Sequence, residues 1–142
     1  MQQLTNKAGT LFAAIVVCIG CALASDVPPC PPQIKVDQNA LDSPAGWSVF
    51  NSRSAHPFVN LRFSEGEPSQ LMILAPSRQK KRKGVPVDVW DFTGSSTGYW
   101  ISCIYSETSV VVARKLPTDV TSCEVEYDKA FSSPVAKRFT CR

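Results

Sequence analysis

Arg78, Lys80, Lys81, Arg82 and Lys83 place five positive charges within six residues, interrupted only by Gln79. The whole chain of 142 residues carries a net charge of only +3, so this run more than accounts for its excess charge. Such a run suits the phosphates of anionic lipid heads or lipopolysaccharide, or an acidic protein surface. No aromatic residue interleaves it, so base stacking is not indicated and nucleic acid is not an expected partner. At physiological salt its reach is about 8 Å. The plainer reading is a solvated loop between two strands.

The other reactive side chains do not assemble into a catalytic set. His56 is the sole histidine, in Ser54-Ala55-His56-Pro57, and reads as a surface-loop residue. A general base needs a positioned nucleophile, and no Gly-x-Ser-x-Gly is present to supply one. Glu65 and Glu67 sit in a turn, and Glu124 and Glu126 on a solvent face, whereas a hydrolytic pair must face each other across a cleft. One histidine and no zinc-like cysteine spacing leave no expected metal site. No phosphate loop or EF-hand spacing occurs. The expectation is a protein that is not an enzyme and needs no cofactor; a small hydrolase built on carboxylates and His56 is the least favoured reading. Among the aromatics Trp47, Trp90, Trp100, Tyr99 and Tyr105, most read as core. Trp90 and Trp100 fit poorly with the inward sets of their strands, which makes them candidates for a recognition surface.

The six cysteines fall into two groups. Cys18 and Cys21 lie in an apolar stretch that follows a short polar start carrying Lys7 and precedes Ala22-Leu23-Ala24. That order describes a secretory signal peptide, here residues 1–24, cleaved to leave a domain of residues 25–142. The apolar run is shorter than the roughly 20 residues of a membrane span, and no later stretch approaches it. An uncleaved anchor and a lipoprotein attached through Cys21 are the alternatives. Cys30, Cys103, Cys123 and Cys141 remain, an even number in an exported chain, and point to two disulfides in the periplasm or outside the cell.

The elements that must position these residues read as β-strands. Residues 25–142 hold 13 Val and 4 Ile against 5 Leu, and all 11 prolines of the chain, which favours strands and breaks long helices. Cys123, Val125 and Tyr127 alternate with Glu124, Glu126 and Asp128, a half-buried strand with an acidic outer face. Tyr99, Ile101, Cys103 and Tyr105 share a face over 98–105, and 109–114 follows after a polar turn, so 98–128 reads as a three-strand meander. Both cysteines then lie on apolar faces, which favours Cys103–Cys123 and leaves Cys30–Cys141 to tie the two ends together. Further strands are expected at 33–38, 47–51, 59–64, 71–75, 85–92 and 138–141. The 71–75 run is expected to be buried, Val85, Val87 and Val89 to point inward, and Pro86 to lie at an edge. Single helical turns are expected at 40–42 and 129–131. The fold class is mainly β, an antiparallel β-sandwich or small barrel stapled by two disulfides.

Cys30-Pro31, Ala45-Gly46-Trp47, Trp90, Tyr99-Trp100, Cys103-x-Tyr105, Thr108, Arg114-x-Leu116-Pro117, Cys123-x-Val125 and Cys141 together resemble a family of small exported proteins of Gram-negative bacteria known only by a locus-type label. The resemblance covers most of residues 25–142, implies export to the periplasm and supplies no catalytic residue. The basic stretch 77–84 is its weakly matched part. The reading drawn from all of this is a periplasmic binding protein whose partner is another envelope protein, most concretely an inhibitor or immunity factor of an envelope-targeted enzyme. The alternative is an envelope-associated module that holds anionic lipid heads through the basic loop.

Overall fold

In its clearest segments the alternation of apolar and polar residues gives extended backbone. The computed structural model describes residues 27–50, 54–128, 130, 133 and 135–142; the expected leader at 1–24 lies outside them. Eight strands follow in order: β1 (Gln33–Lys35), β2 (Ala55–Glu65), β3 (Arg78–Arg82), β4 (Val85–Asp91), β5 (Tyr99–Tyr105), β6 (Val111–Lys115), β7 (Ser122–Asp128) and β8 (Val135–Cys141). They pair antiparallel in two four-stranded sheets, β1-β2-β5-β6 and β3-β4-β7-β8. The chain changes sheet after β2, after β4 and after β6. The expected meander is therefore corrected: β6 pairs with β5, but β7 crosses to lie between β4 and β8.

The inner faces of the sheets meet in one apolar cluster of Leu61, Phe63, Trp90, Phe92, Ile101, Leu116, Val120, Cys123, Val125 and Ala136. The Phe63 ring packs against Trp90 at 4.9 Å and Phe92 at 5.6 Å, and Phe92 against Tyr99 at 4.6 Å. Tilted and edge-on rings at these separations add to the area they remove from water. Trp90 Nε1–H donates to the Leu74 carbonyl at 3.0 Å, which satisfies the one polar atom of the indole.

Directly opposed residues of neighbouring strands share a face, and the register turns β4 over relative to the sequence reading. Trp90 opposes Cys123 and Asp88 opposes Val125, while Val87 and Val89 oppose Glu126 and Glu124. Trp90 and Phe92 thus occupy the core face, and Val87 and Val89 lie on the outer face, although solvent does not reach either valine. Both alternating sets of this strand are apolar, and the larger ring systems take the core. Pro86 does not mark an edge strand, since β4 lies between β3 and β7.

Other expectations are corrected as well. The 71–75 run forms only an isolated bridge, Ser64 to Ile73, and Leu71, Met72 and Ile73 are exposed. Residues 47–50 form no strand, and 40–42 no helical turn; Asn51, Lys129 and Phe131 lie outside the described residues. The one helical turn among the described residues is the 3₁₀ turn Pro68–Gln70.

The disulfides are Cys30–Cys103 and Cys123–Cys141, which corrects the expected pairing. Cys123 and Cys141 are opposed on β7 and β8 with Cα atoms 4.1 Å apart. Ser122 and Arg142 next to them exchange both backbone hydrogen bonds, at 3.0 and 2.9 Å. The cysteines therefore occupy the adjacent pair that exchanges none, where antiparallel strands approach most closely. Cys103 lies in the other sheet and binds Cys30 of the extended lead-in. That segment is also held by the Tyr105 hydroxyl on the Pro31 carbonyl at 3.1 Å and the Phe58 N–H on the Pro32 carbonyl at 2.8 Å.

Non-reducing peptide mapping should return Cys30 joined to Cys103 and Cys123 to Cys141. The bridges span 73 and 18 residues, so removing the first as a Cys→Ala pair should cost about 4 kcal/mol and the second about 3 kcal/mol in urea unfolding. Ile101→Ala, at the centre of the core, should cost about 3 kcal/mol in the same measurement.

Candidate protein-binding surface

The basic run is not a loop. It forms β3, an edge strand paired with β4 from Arg78 opposite Val89 to Arg82 opposite Val85. Lys83 and Gly84 make the two-residue turn, with φ of 49° and 75°. Two left-handed residues in succession are the backbone a tight hairpin requires, and glycine accepts it at no steric cost.

The register sorts the cations. Arg78, Lys80 and Arg82 share the outer face of the sheet with Val85, Val87 and Val89, and with Glu124 and Glu126 beyond them on β7. Lys80 Nζ donates to Glu124 Oε1 at 2.6 Å, and Arg82 Nη2 to Glu124 Oε2 at 2.6 Å. Arg82 also reaches Glu126 at 3.4 Å, and Arg138 on β8 grips both Glu126 oxygens at 2.8 Å. Arg78 pairs with Asp91. These side chains span β4 and roof over its outward valines, in keeping with the habit of long cationic stems lying along apolar surface. Glu124 is 8% exposed, and its carboxylate is held there by two cations.

The pairing lowers the pKa of both glutamates. For Glu124 the largest cause is the hydrogen bond from Lys80, which outweighs burial and is helped by the charges of Lys80 and Arg82 and the Arg82 hydrogen bond. For Glu126 it is the hydrogen bond from Arg138, again over burial and with the charges of Arg138 and Arg82. On the inner face of the hairpin, Gln79 donates to Asp88 at 2.8 Å. Burial, with the Asp88 charge and hydrogen bond, keeps the Tyr127 phenol protonated well above its ordinary range.

Two cations of the run are left over. Lys81 and Lys83 are exposed and make no ion pair among the described residues. The hairpin thus presents two free ammonium groups at one end of an edge strand.

The remaining sequence candidates separate cleanly. Trp90 is 5% exposed and belongs to the core, so it forms no part of a surface. Trp100 is half-buried on the outward face of β5, opposite Ser64 and Lys115. His56 is corrected from a surface loop to the interior: it lies in β2 at 1% exposure, and its Nδ1–H donates to the Ser106 carbonyl at 2.8 Å. Among the described residues Nε2 is buried without a partner, and no nucleophile hydrogen-bonds to the ring. No group of three or more His, Cys, Asp or Glu among the described residues is arranged to hold a metal. No helix there is long and apolar enough to cross a membrane.

The sequence reading missed the stretch 37–50 between β1 and β2, where Leu41, Trp47, Val49 and Phe50 are all exposed. The signal was present in Ser43-Pro44-Ala45-Gly46, whose turn chemistry breaks the strand that Trp47-Ser48-Val49-Phe50 suggests.

A disulfide-bonded β-sandwich that carries charged and apolar groups on edges and loops defines a class: a binding module. The comparisons with known proteins make that class specific. The family model described as the type VI secretion system Tli immunity protein matches residues 52–142, more than half of the chain. The protein belongs to that family and is an immunity factor that inhibits an effector. No curated protein and no solved structure matches it.

Because both glutamates have folded pKa values below their unfolded ones, their contribution to stability is present above about pH 4.3 and is lost as the pH falls through the folded values. Thermal unfolding should move to lower temperature between pH 5 and pH 3. In the Glu124→Gln/Glu126→Gln variant that loss should be markedly smaller.

Proposed function

We propose that the protein acts in the periplasm, where it binds and neutralises a type VI effector directed at the envelope. The observation that carries this placement is the pair of disulfides in an immunity-family chain, since such bonds persist in oxidising compartments and are rare in the cytosol. The signal-like residues 1–24 support the same route, with a lipid on Cys21 as the alternative mode of retention.

The contact surface that the geometry favours is the free end of the β3–β4 hairpin. Lys81 and Lys83 carry unneutralised charge there, and a positive patch steers and orients an acidic partner surface. Arg78, Lys80 and Arg82 act differently: their internal pairs fix the hairpin on the sheet and hold its tip in place. The same pairing weakens the anionic-lipid reading, because only two of five cations remain for a charged bilayer. Inhibition follows from occupancy, a rigid hairpin covering the effector's working surface.

Susceptible cells that express the full chain should survive the type VI effector it neutralises, and cells that express a variant lacking residues 1–24 should not. Equal protection by the leaderless variant would sink the periplasmic placement. Lys81→Glu/Lys83→Glu should weaken effector binding by about tenfold at low salt, with the difference shrinking as salt is raised. Its unfolding temperature should stay close to that of the parent.

A further inference from the structure

A second exposed feature, an apolar one, belongs to the sheet opposite that hairpin. Between β1 and β2 the chain leaves the sheet at Val36 and returns at Ser54, where the Val36 N–H donates to the Ser54 carbonyl at 2.9 Å. The excursion between them carries Leu41, Trp47 at 76% exposure, Val49 and Phe50 at 85%. It is not shapeless. The Trp47 N–H donates to the Pro44 carbonyl at 3.0 Å across Ala45 and Gly46, with Gly46 at φ 83°. Glycine in that third position is what a type II turn demands. The Ser43 hydroxyl donates to the Trp47 carbonyl at 2.8 Å. The turn therefore fixes the backbone at the indole while leaving the ring in water. At its root, Gln38 Nε2 donates to the Glu107 carbonyl at 3.2 Å, which sets the arm beside the β5–β6 turn and its exposed Val110.

We propose that residues 37–50 form the arm by which this protein recognises its own effector, with Trp47 and Phe50 seated in an apolar pocket of that effector. The proposal rests on the immunity reading and adds to it the site of recognition. Three observations choose the occupant. The family match covers residues 52–142 and does not include the arm, which leaves room there for a contact peculiar to one pair of proteins. The arm contains no Lys or Arg, the residues through which an anionic membrane attracts a segment. The two rings alone expose roughly 300 Å², a large share of the ~800 Å² that each partner buries in a standard interface. Large rings of this kind, held in a set geometry, dominate binding energy where they are buried centrally.

The test uses the full chain, the type VI effector against which it protects as the probe, and the variants Trp47→Ala, Phe50→Ala and Lys81→Glu/Lys83→Glu. Each arm variant should bind the effector about 30-fold more weakly, with circular dichroism and unfolding temperature unchanged because the removed rings touch no core. In the parent, acrylamide should quench the exposed Trp47 emission, and effector binding should protect it. Unchanged affinity in both arm variants, with a loss in the lysine variant, would overturn the arm and leave the immunity reading intact. No binding by the parent chain would remove the immunity reading itself, and the arm with it. A parent dimer that Trp47→Ala turns into a monomer would assign the arm to a second copy, and retention of the parent but not Trp47→Ala on phosphatidylglycerol vesicles would assign it to lipid; either result overturns the proposal.

Discussion

Glu124 accepts from Lys80 and Arg82 across the width of β4, and much of this sheet follows from that contact. An isolated carboxylate at 8% exposure would be expensive; two cations from the edge strand make it tenable. In reaching it they cover Val87 and Val89, which the turned register of β4 has placed on the outside. The strand is thus held by backbone pairing on one side and by an ionic roof above. A run of like charges that would repel itself as a free loop becomes a strand because the opposite charges lie two strands away.

The same contact divides the cations by role. Those on the outer face are consumed within the molecule, and those on the other face of the strand and in the turn stay free. Charge density along the sequence therefore overstates the charge available to a partner. Lysines at a strand edge also discourage unwanted pairing with other edges. A protein that must meet one partner and ignore the rest gains from both effects.

Local alternation made most strands legible. The alternation of Cys123 to Asp128 reads correctly from six residues, and the β5 face of Tyr99, Ile101, Cys103 and Tyr105 likewise, but Glu124, expected on a solvent face, is buried under Lys80 and Arg82. What failed was non-local. Nothing near Arg78 announces that Glu124 will neutralise its neighbours, so a strand looked like a loop. Trp90 and Val89 are both apolar, and only packing against Phe63 settles which of them faces in. Leu71 to Ala75 is apolar without being buried, a case that periodicity cannot resolve. Four cysteines allow three connectivities, and knowing that two lie on the apolar faces of their own strands does not decide between them once those strands belong to different sheets. His56 looked exposed beside Pro57, yet the long β2 carries both inside its span.

The arm leaves and rejoins the sheet through one hydrogen-bonded pair, Val36 and Ser54. Its contour can lengthen, shorten or be exchanged without shifting the register of β1 on β2, and doubling a loop of this kind costs only about 0.6 kcal/mol in closure entropy. What the arm touches can therefore change while the stapled frame stays as it is, so a new contact need not disturb folding.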